Sequence, residues 1–136
     1  MNNCLSKLRK SARANASLPV LTQSQIARRW QLDPDTVRKI LRKCSVPAVP
    51  GPWKRSRYSI LEIWRIEGVS AVDLSDQTKH EALFEPLLTA SDLADEFGCV
   101  PATIRNYVRE NHLKSIRLGG SIRFRWSDVR QVPDGV

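Results

Sequence analysis

The sequence predicts an α+β fold that is mostly helical and consists of two tandem copies of one small unit. The main observation is an internal repeat: nine of the 24 residues in segment 19–42 are identical to those in 86–109 at a shift of 67 positions. A second match joins 57–63 to 123–129 at a shift of 66, as expected if one loop differs in length. Helix-starting residues also occupy equivalent places in the two segments.

In the first copy, two short helices are predicted. Thr22 is a typical N-cap for a helix that ends at Trp30, and Asp33 followed by Pro34 begins a second helix after a short turn. Apolar residues of the second helix recur at helical spacing, which predicts a buried stripe. The stripe consists of Val37, Ile40, Leu41 and Cys44. Basic residues lie on the opposite side, so the pair is typical of a helix-turn-helix with a basic second helix.

The same pattern recurs in the second copy. Thr89 caps a helix that extends through Phe97, Gly98 opens the turn, and Pro101 begins the next helix. Val100 occupies the place that Asp33 has in the first copy. Because valine cannot accept hydrogen bonds from the free backbone amides, we expect this helix start to be weaker by about 1 kcal/mol.

A β-hairpin, or wing, is predicted after the second copy's basic helix. Two alternating apolar and basic runs flank Gly119-Gly120, which is typical of a tight turn. This alternation would place four apolar side chains on one face: Ile116, Leu118, Ile122 and Phe124. In the first copy, three prolines within 46–58 predict an irregular wing instead.

A closing helix should follow each wing. The first is expected at 60–67, capped by Ser59 and ended by Gly68; the second is expected at 128–132, between Ser127 and Pro133. The full order of elements is helix, turn, helix, wing and closing helix. The sequence therefore predicts two tandem winged helix-turn-helix domains, at 18–68 and 86–136, with a basic arm at 1–17 and an acidic linker at 69–85.

The pattern LTxxxLAxxFGxxPxTIRxYVRExxLxxIRLGGxxRFxxxDV at 88–129 resembles the excisionase-like, MerR-type winged-helix DNA-binding domain. The first copy, LTQSQIARRWQLDPDTVRKILRK followed by RYSILEI, is similar, but its wing lacks the Gly-Gly turn. Members of this family assist the excision of mobile elements or regulate transcription. The resemblance implies that the Thr-x-Arg of each second helix and the basic wings contact DNA. A MerR-type effector domain is not expected, since the chain ends seven residues after Val129.

The expected DNA-contacting residues lie on the second helices and the wings. They are Thr36, Arg38, Lys39, Arg42, Trp53, Lys54, Arg55, Arg57, Thr103, Arg105, Asn106, Arg109, Arg117, Ser121, Arg123 and Arg125.

Charge favours a polyanionic partner. The formal net charge is +8, to which the arm contributes +4, the first copy +6, the linker −3 and the second copy +1. Such an excess attracts nucleic acid. The three cysteines and two histidines lack the spacing of a metal site, and no catalytic motif occurs, so neither an enzyme nor a cofactor is expected. No apolar run is long enough to span a membrane and no secretory signal is evident, which predicts a cytoplasmic, nucleoid-associated protein.

The favoured function is therefore sequence-specific binding of double-stranded DNA by an excisionase-like directionality factor that acts architecturally. A transcription regulator could use the same residues, and a site-specific recombinase or RNA polymerase is the expected protein partner. An adaptor or antiactivator that binds proteins through a winged-helix fold is the alternative from another class. A flexible linker of seventeen residues would let the two copies reach successive major grooves about 34 Å apart. The sequence leaves the oligomeric state and the DNA target open.

Overall fold

A computed structural model of the chain describes residues 18–129, and its fold is α+β, with short antiparallel sheets among the helices. The first half contains β1 (Val20–Thr22), α1 (Gln23–Trp30), α2 (Pro34–Lys43), β2 (Arg57–Ser59) and α3 (Ile60–Ile66). The connecting segment contains α4 (Ala71–Ser75), a 3-10 turn (Gln77–Lys79) and α5 (His80–Leu83). The second half contains α6 (Ala90–Phe97), α7 (Pro101–Arg109), β3 (Ile116–Leu118), β4 (Ser121–Arg123) and α8 (Trp126–Val129).

The first helix of each half begins with the same hydrogen-bonded cap. The Thr22 hydroxyl accepts a bond from the Gln25 amide at 3.2 Å, and the Gln25 side chain accepts one from the Thr22 amide at 2.9 Å. Thr89 and Asp92 form the same reciprocal pair, with distances of 3.1 and 2.9 Å. These two capping boxes fix both helix starts at the predicted residues.

The two helices of each pair are joined through a residue with left-handed backbone. Gln31 (φ 52°) follows α1, and Gly98 (φ 68°) occupies the equivalent position after α6. Asp33 then caps α2 through its side chain, whereas Val100 gives α7 no side-chain cap. The predicted difference in capping is confirmed.

The predicted stripe of α2 is correct for three of its four residues. Val37, Ile40 and Leu41 are buried, but Cys44 is exposed. Cys44 is the C-cap of α2, where the backbone leaves the helix, so the i+7 position no longer faces the core. The prediction for Cys44 is therefore wrong.

One strand pairing in the first half escaped the sequence analysis. β1 pairs with β2 in an antiparallel register that sets Leu21 opposite Tyr58. In the second half, an isolated bridge joins Leu88 to Phe124, at the positions aligned with that pair. Between α2 and β2 the chain is irregular, as its prolines predict, and the Val49 amide donates to the Arg57 carbonyl at 2.7 Å.

The acidic segment 69–85 is folded rather than flexible. It forms α4, the 3-10 turn and α5, and it buries Leu83 against Ile60 and Trp64. The Leu83 carbonyl accepts a hydrogen bond from the Trp64 indole at 3.0 Å. The expectation of a flexible linker is therefore wrong, because apolar residues and backbone groups of this segment are fixed against α3.

The faces of the β3–β4 hairpin carry different residues from those predicted. Its register sets Leu118 opposite Ser121 and Ile116 opposite Arg123, so Ile122 lies on the other face, opposite Arg117. Ile116 and Leu118 complete the core of the first half, while Ile122 packs against the core of the second half together with Phe124. The expectation of a single apolar face is wrong, because a two-residue turn pairs apolar residues of β3 with polar residues of β4.

The closing helix of the first half agrees with expectation: α3 starts after Ser59, whose hydroxyl accepts a bond from the Leu61 amide at 3.2 Å. α8 begins at Trp126, two residues before the predicted start, and is described as far as Val129. The predicted arm at 1–17 and the end of the last predicted helix lie outside the described residues. Within 18–129, no helix has the length and apolar character needed to cross a membrane.

Candidate nucleic-acid interface

The outer face of α2 is the most basic surface among the described helices of the first half. Four side chains on this face are exposed: Arg38, Lys39, Arg42 and Lys43. Arg38 donates to Asp35 at 2.7 Å, with side-chain exposures of 49% and 70%. An ion pair so exposed contributes little to stability, so Arg38 can exchange its partner for a phosphate at small cost.

Thr36, which was expected at DNA, belongs to the cap of α2. Its hydroxyl donates to Asp33 Oδ1 at 2.6 Å, and its amide donates to Asp33 Oδ2 at 3.1 Å. These hydrogen bonds hold the pKa of Asp33 below its usual range, so the carboxylate stays charged at the positive end of the helix.

In the second half, α7 presents the equivalent surface. Arg105, Asn106 and Arg109 are exposed, and Thr103 is half-buried. No acidic residue occurs in α7, whereas Asp95 and Glu96 are exposed on α6. Positive and negative charge thus lie on different helices, as the sequence predicts.

The irregular wing of the first half is organised around Trp53. The Arg57 guanidinium lies 5.1 Å from the centre of the Trp53 ring. Gly51 packs against the same ring, and a Cβ there would clash with it unless the Trp53 side chain moved. Lys54 and Arg55 remain exposed beside this stack.

Arg125 does not lie on a DNA-facing surface. Its side chain is 5% exposed and donates to Glu67 Oε1 at 2.6 Å. The expectation that Arg125 contacts DNA is wrong, because this arginine forms part of the core between the two halves.

Glu67 is the centre of that contact. Its buried carboxylate also accepts bonds from Arg29 at 2.7 and 2.8 Å and from the Trp30 indole at 2.7 Å. Arg29 directs its remaining donors to the carbonyls of the connecting segment, at Leu83, Phe84 and Glu85. A guanidinium has five donors, and all five of Arg29 are used. The first half, the connecting segment and the second half therefore share one buried polar network.

Arg123 also joins the two halves. Its guanidinium donates to the Trp30 carbonyl and to the Gln31 carbonyl, each at 2.8 Å. Gln31 in turn donates to the Leu87 carbonyl at 2.9 Å and to Asp92 at 2.7 Å. These contacts engage the guanidinium in the structure, and a contact of Arg123 with DNA stays a prediction. Arg117 is exposed on the hairpin, and Ser121 is half-buried.

Comparison with known proteins bears on the second half. Residues 87–132 match a family model described as a helix-turn-helix domain. The second half is therefore similar to a helix-turn-helix domain over this stretch. The match includes α6 and α7, the two helices joined by the turn at Gly98. The search found no matching curated protein and no matching solved structure.

The structure divides the predicted site into two groups. Most of the predicted basic residues remain exposed on α2, on α7, on the first-half wing and at Arg117, where their contact with DNA stays a prediction. Arg125 is buried and has a structural role instead, and Arg123 hydrogen-bonds the carbonyls of the first half. The sequence analysis missed Arg29 and Glu67; the available signal was Arg29 itself, a charged residue three positions after Ile26 on the apolar face of α1. Among residues 18–129 no cluster suited to a metal ion occurs.

Proposed function

We propose that this protein is a non-enzymatic, sequence-specific binder of double-stranded DNA that acts in the cytoplasm as an excisionase-like directionality factor. The observation that carries the proposal is the helix-turn-helix domain at 87–132, whose α7 leaves Arg105 and Arg109 exposed. Binding would position the DNA for a site-specific recombinase, which is an architectural role. A transcription regulator that recruits or blocks RNA polymerase would use the same surface.

The proposal includes a second DNA-reading unit in the first half. Its support is the set of features that the halves share: the capping boxes, the left-handed residue after the first helix, and the strand contact between Leu21 and Tyr58, matched by Leu88 and Phe124. The first half also carries the larger positive charge, so it would supply most of the phosphate contacts.

Fluorescence anisotropy with a labelled duplex tests the proposal. We expect binding that weakens by about 10³-fold or more between 50 and 200 mM salt, since several phosphates would be neutralised. A chain that binds no duplex even at low salt would contradict the proposal.

Matched variants locate the surface. Arg105→Ala and Arg38→Ala should each weaken binding and lower the slope of log K against log salt by about 0.9. Arg65→Ala removes the same charge from the exposed side of α3, where Arg65 pairs with Glu62, and should leave the slope unchanged. Equal effects of all three substitutions would indicate non-specific attraction rather than a defined interface.

Protein binding is a second candidate function, favoured by one observation. Phe97 is 46% exposed and Val100 is 61% exposed at the turn of the second half, close in sequence to Asp95 and Glu96. An adaptor that binds a regulator through this acidic and apolar edge would keep its activity in cells when Arg38 and Arg105 are replaced by alanine. Loss of activity in that double variant would favour DNA binding.

A further inference from the structure

The hairpin of β3 and β4 occupies an unusual place for a wing, since it contacts both halves of the molecule. On one face, Ile116 and Leu118 are 5% and 1% exposed and complete the core that holds α1 and α2. On the opposite face, Ile122 packs against the core of the second half, which contains Ile104 of α7. The hairpin therefore lies between the two basic helices.

The turn of this hairpin lies against α2. A Cβ at Gly119 would be 3.8 Å from Ile40 Cδ1. Thr36 and Lys43 lie four residues before and three residues after Ile40, so they flank it along the same strip of the helix. The turn thus lies against the buried stripe of α2, and Lys43, about one helical turn beyond Ile40, is exposed.

The exposed surface of the hairpin has the charge that DNA requires. Lys114 and Arg117 are exposed on segment 113–123, which contains no acidic residue. The first half, by contrast, forms no hairpin between α2 and β2. The second half therefore brings a regular β-hairpin to the side of α2.

We propose that the hairpin is a wing shared by both halves, so that α2, the Gly119-Gly120 turn and α7 contact one uninterrupted stretch of duplex DNA. This inference rests on the proposed DNA-binding function. It differs from two DNA-binding units joined by a flexible linker. The hydrogen bonds of Arg123 to the Trp30 and Gln31 carbonyls, and the buried pair of Glu67 with Arg125, join the hairpin and the segment after it to the first half. The two parts of the DNA target that α2 and α7 contact would then have a single allowed spacing.

Site-directed DNA cleavage tests the order of these three elements. An iron chelate attached to a single cysteine cuts the DNA nearest to it. Cys44 is an exposed cysteine at the C-cap of α2, and Glu110 is an exposed residue at the C-cap of α7. At Gly120 a Cβ meets nothing within 4 Å and the backbone is not left-handed, so Gly120→Cys is tolerated there.

Three variants of the full chain would each carry one of these cysteines, with every other cysteine replaced by serine or alanine. Each variant would be bound to a duplex selected from a random library. We expect the cuts from position 120 to fall between those from Cys44 and those from Glu110→Cys, within one continuous stretch. Cuts from position 120 outside that interval, or no cuts from it while the other two chains cut, would overturn the shared wing. Failure of the wild-type chain to enrich any duplex would contradict the proposed function itself.

A charge series at the turn gives an independent measurement. Gly120→Glu should weaken binding to the selected duplex by about tenfold through repulsion of phosphates, and Gly120→Lys should strengthen it. Gly120→Gln is the matched neutral control, and we expect less than about a twofold change. Thermal melting of each variant checks that the fold is retained. If Gly120→Glu and Gly120→Lys bound the duplex with equal affinity, the turn would not approach DNA.

Discussion

Glu67 and Arg125 form a buried ion pair, with 2.6 Å between Oε1 and Nη2, although 58 positions separate them in the sequence. The same carboxylate holds Arg29 and the Trp30 indole. Removal of any member of such a group leaves the others buried without full hydrogen bonding. The two halves are therefore expected to unfold together, in one transition.

Glu67→Gln tests this network. A neutral amide leaves the guanidinium groups of Arg29 and Arg125 buried without a counter-charge, so we expect a loss of about 3–5 kcal/mol in the free energy of unfolding. The measurement is chemical denaturation followed by circular dichroism. Glu62→Gln is the matched control, since its partner Arg65 is 63% exposed and the pair contributes at most about 1 kcal/mol. Similar losses for the two variants would show that the buried pair has no special role.

Leu118→Ala tests whether the hairpin completes the core of the first half. The residue is 1% exposed, and its truncation should lower the free energy of unfolding by about 2–5 kcal/mol. Because Leu118 packs in the core of the first half, amide hydrogen exchange should accelerate in α1 and α2. Val72→Ala, at a position 75% exposed, should change stability by less than about 0.5 kcal/mol. Faster exchange confined to the second half would contradict the shared core.

Val100→Asp tests the missing cap of α7. An aspartate here can accept the free amides at the helix start, as Asp33 does in α2, and should stabilise the protein by about 0.5–1 kcal/mol. The shift in the thermal midpoint measures this gain. Val100→Ala supplies no acceptor and is the control; a gain of the same size with alanine would assign the effect to the loss of an exposed valine instead.

Asp92 makes stability depend on pH in the acid range. The hydrogen bond from the Thr89 amide, with a second from Gln31, holds the pKa of Asp92 below its ordinary value of 3.8. A lowered pKa in the folded state adds stability that is fully present above the ordinary value and is lost as pH falls through the folded value. The amide of Asp92→Asn does not titrate. Between pH 5 and pH 2, the free energy of unfolding of this variant should therefore fall less steeply than that of the wild type. Asp95→Asn, on the exposed side of the same helix, is the comparison; an unchanged slope in Asp92→Asn would contradict the assignment.

The sequence was most informative where the signal is local. Thr22, Thr89, Asp33 and the two prolines at the second helices predict helix starts correctly, because a cap and its amides lie within four residues of each other. The hairpin was found for the same reason: Gly119-Gly120 determines the turn.

Relations between distant segments were not predictable in this way. The faces of the hairpin depend on the pairing of Leu118 with Ser121, and the fates of Arg123 and Arg125 depend on partners in the other half. The sequence around both arginines, which alternates apolar and basic residues, is the same as in an exposed basic wing. Only the position of the first half beside the hairpin distinguishes a DNA-facing arginine from one that holds the core together.

The dependence of the first half on Ile116 and Leu118 has a consequence for synthesis. The ribosome makes residues 18–68 well before it makes the hairpin, so α1 and α2 leave the exit tunnel with part of their core still missing. We expect the amino-terminal half to stay incompletely folded, and accessible to chaperones and proteases, until β3 and β4 emerge from the tunnel. Emergence of residues 116–129 would therefore complete the cores of both halves together.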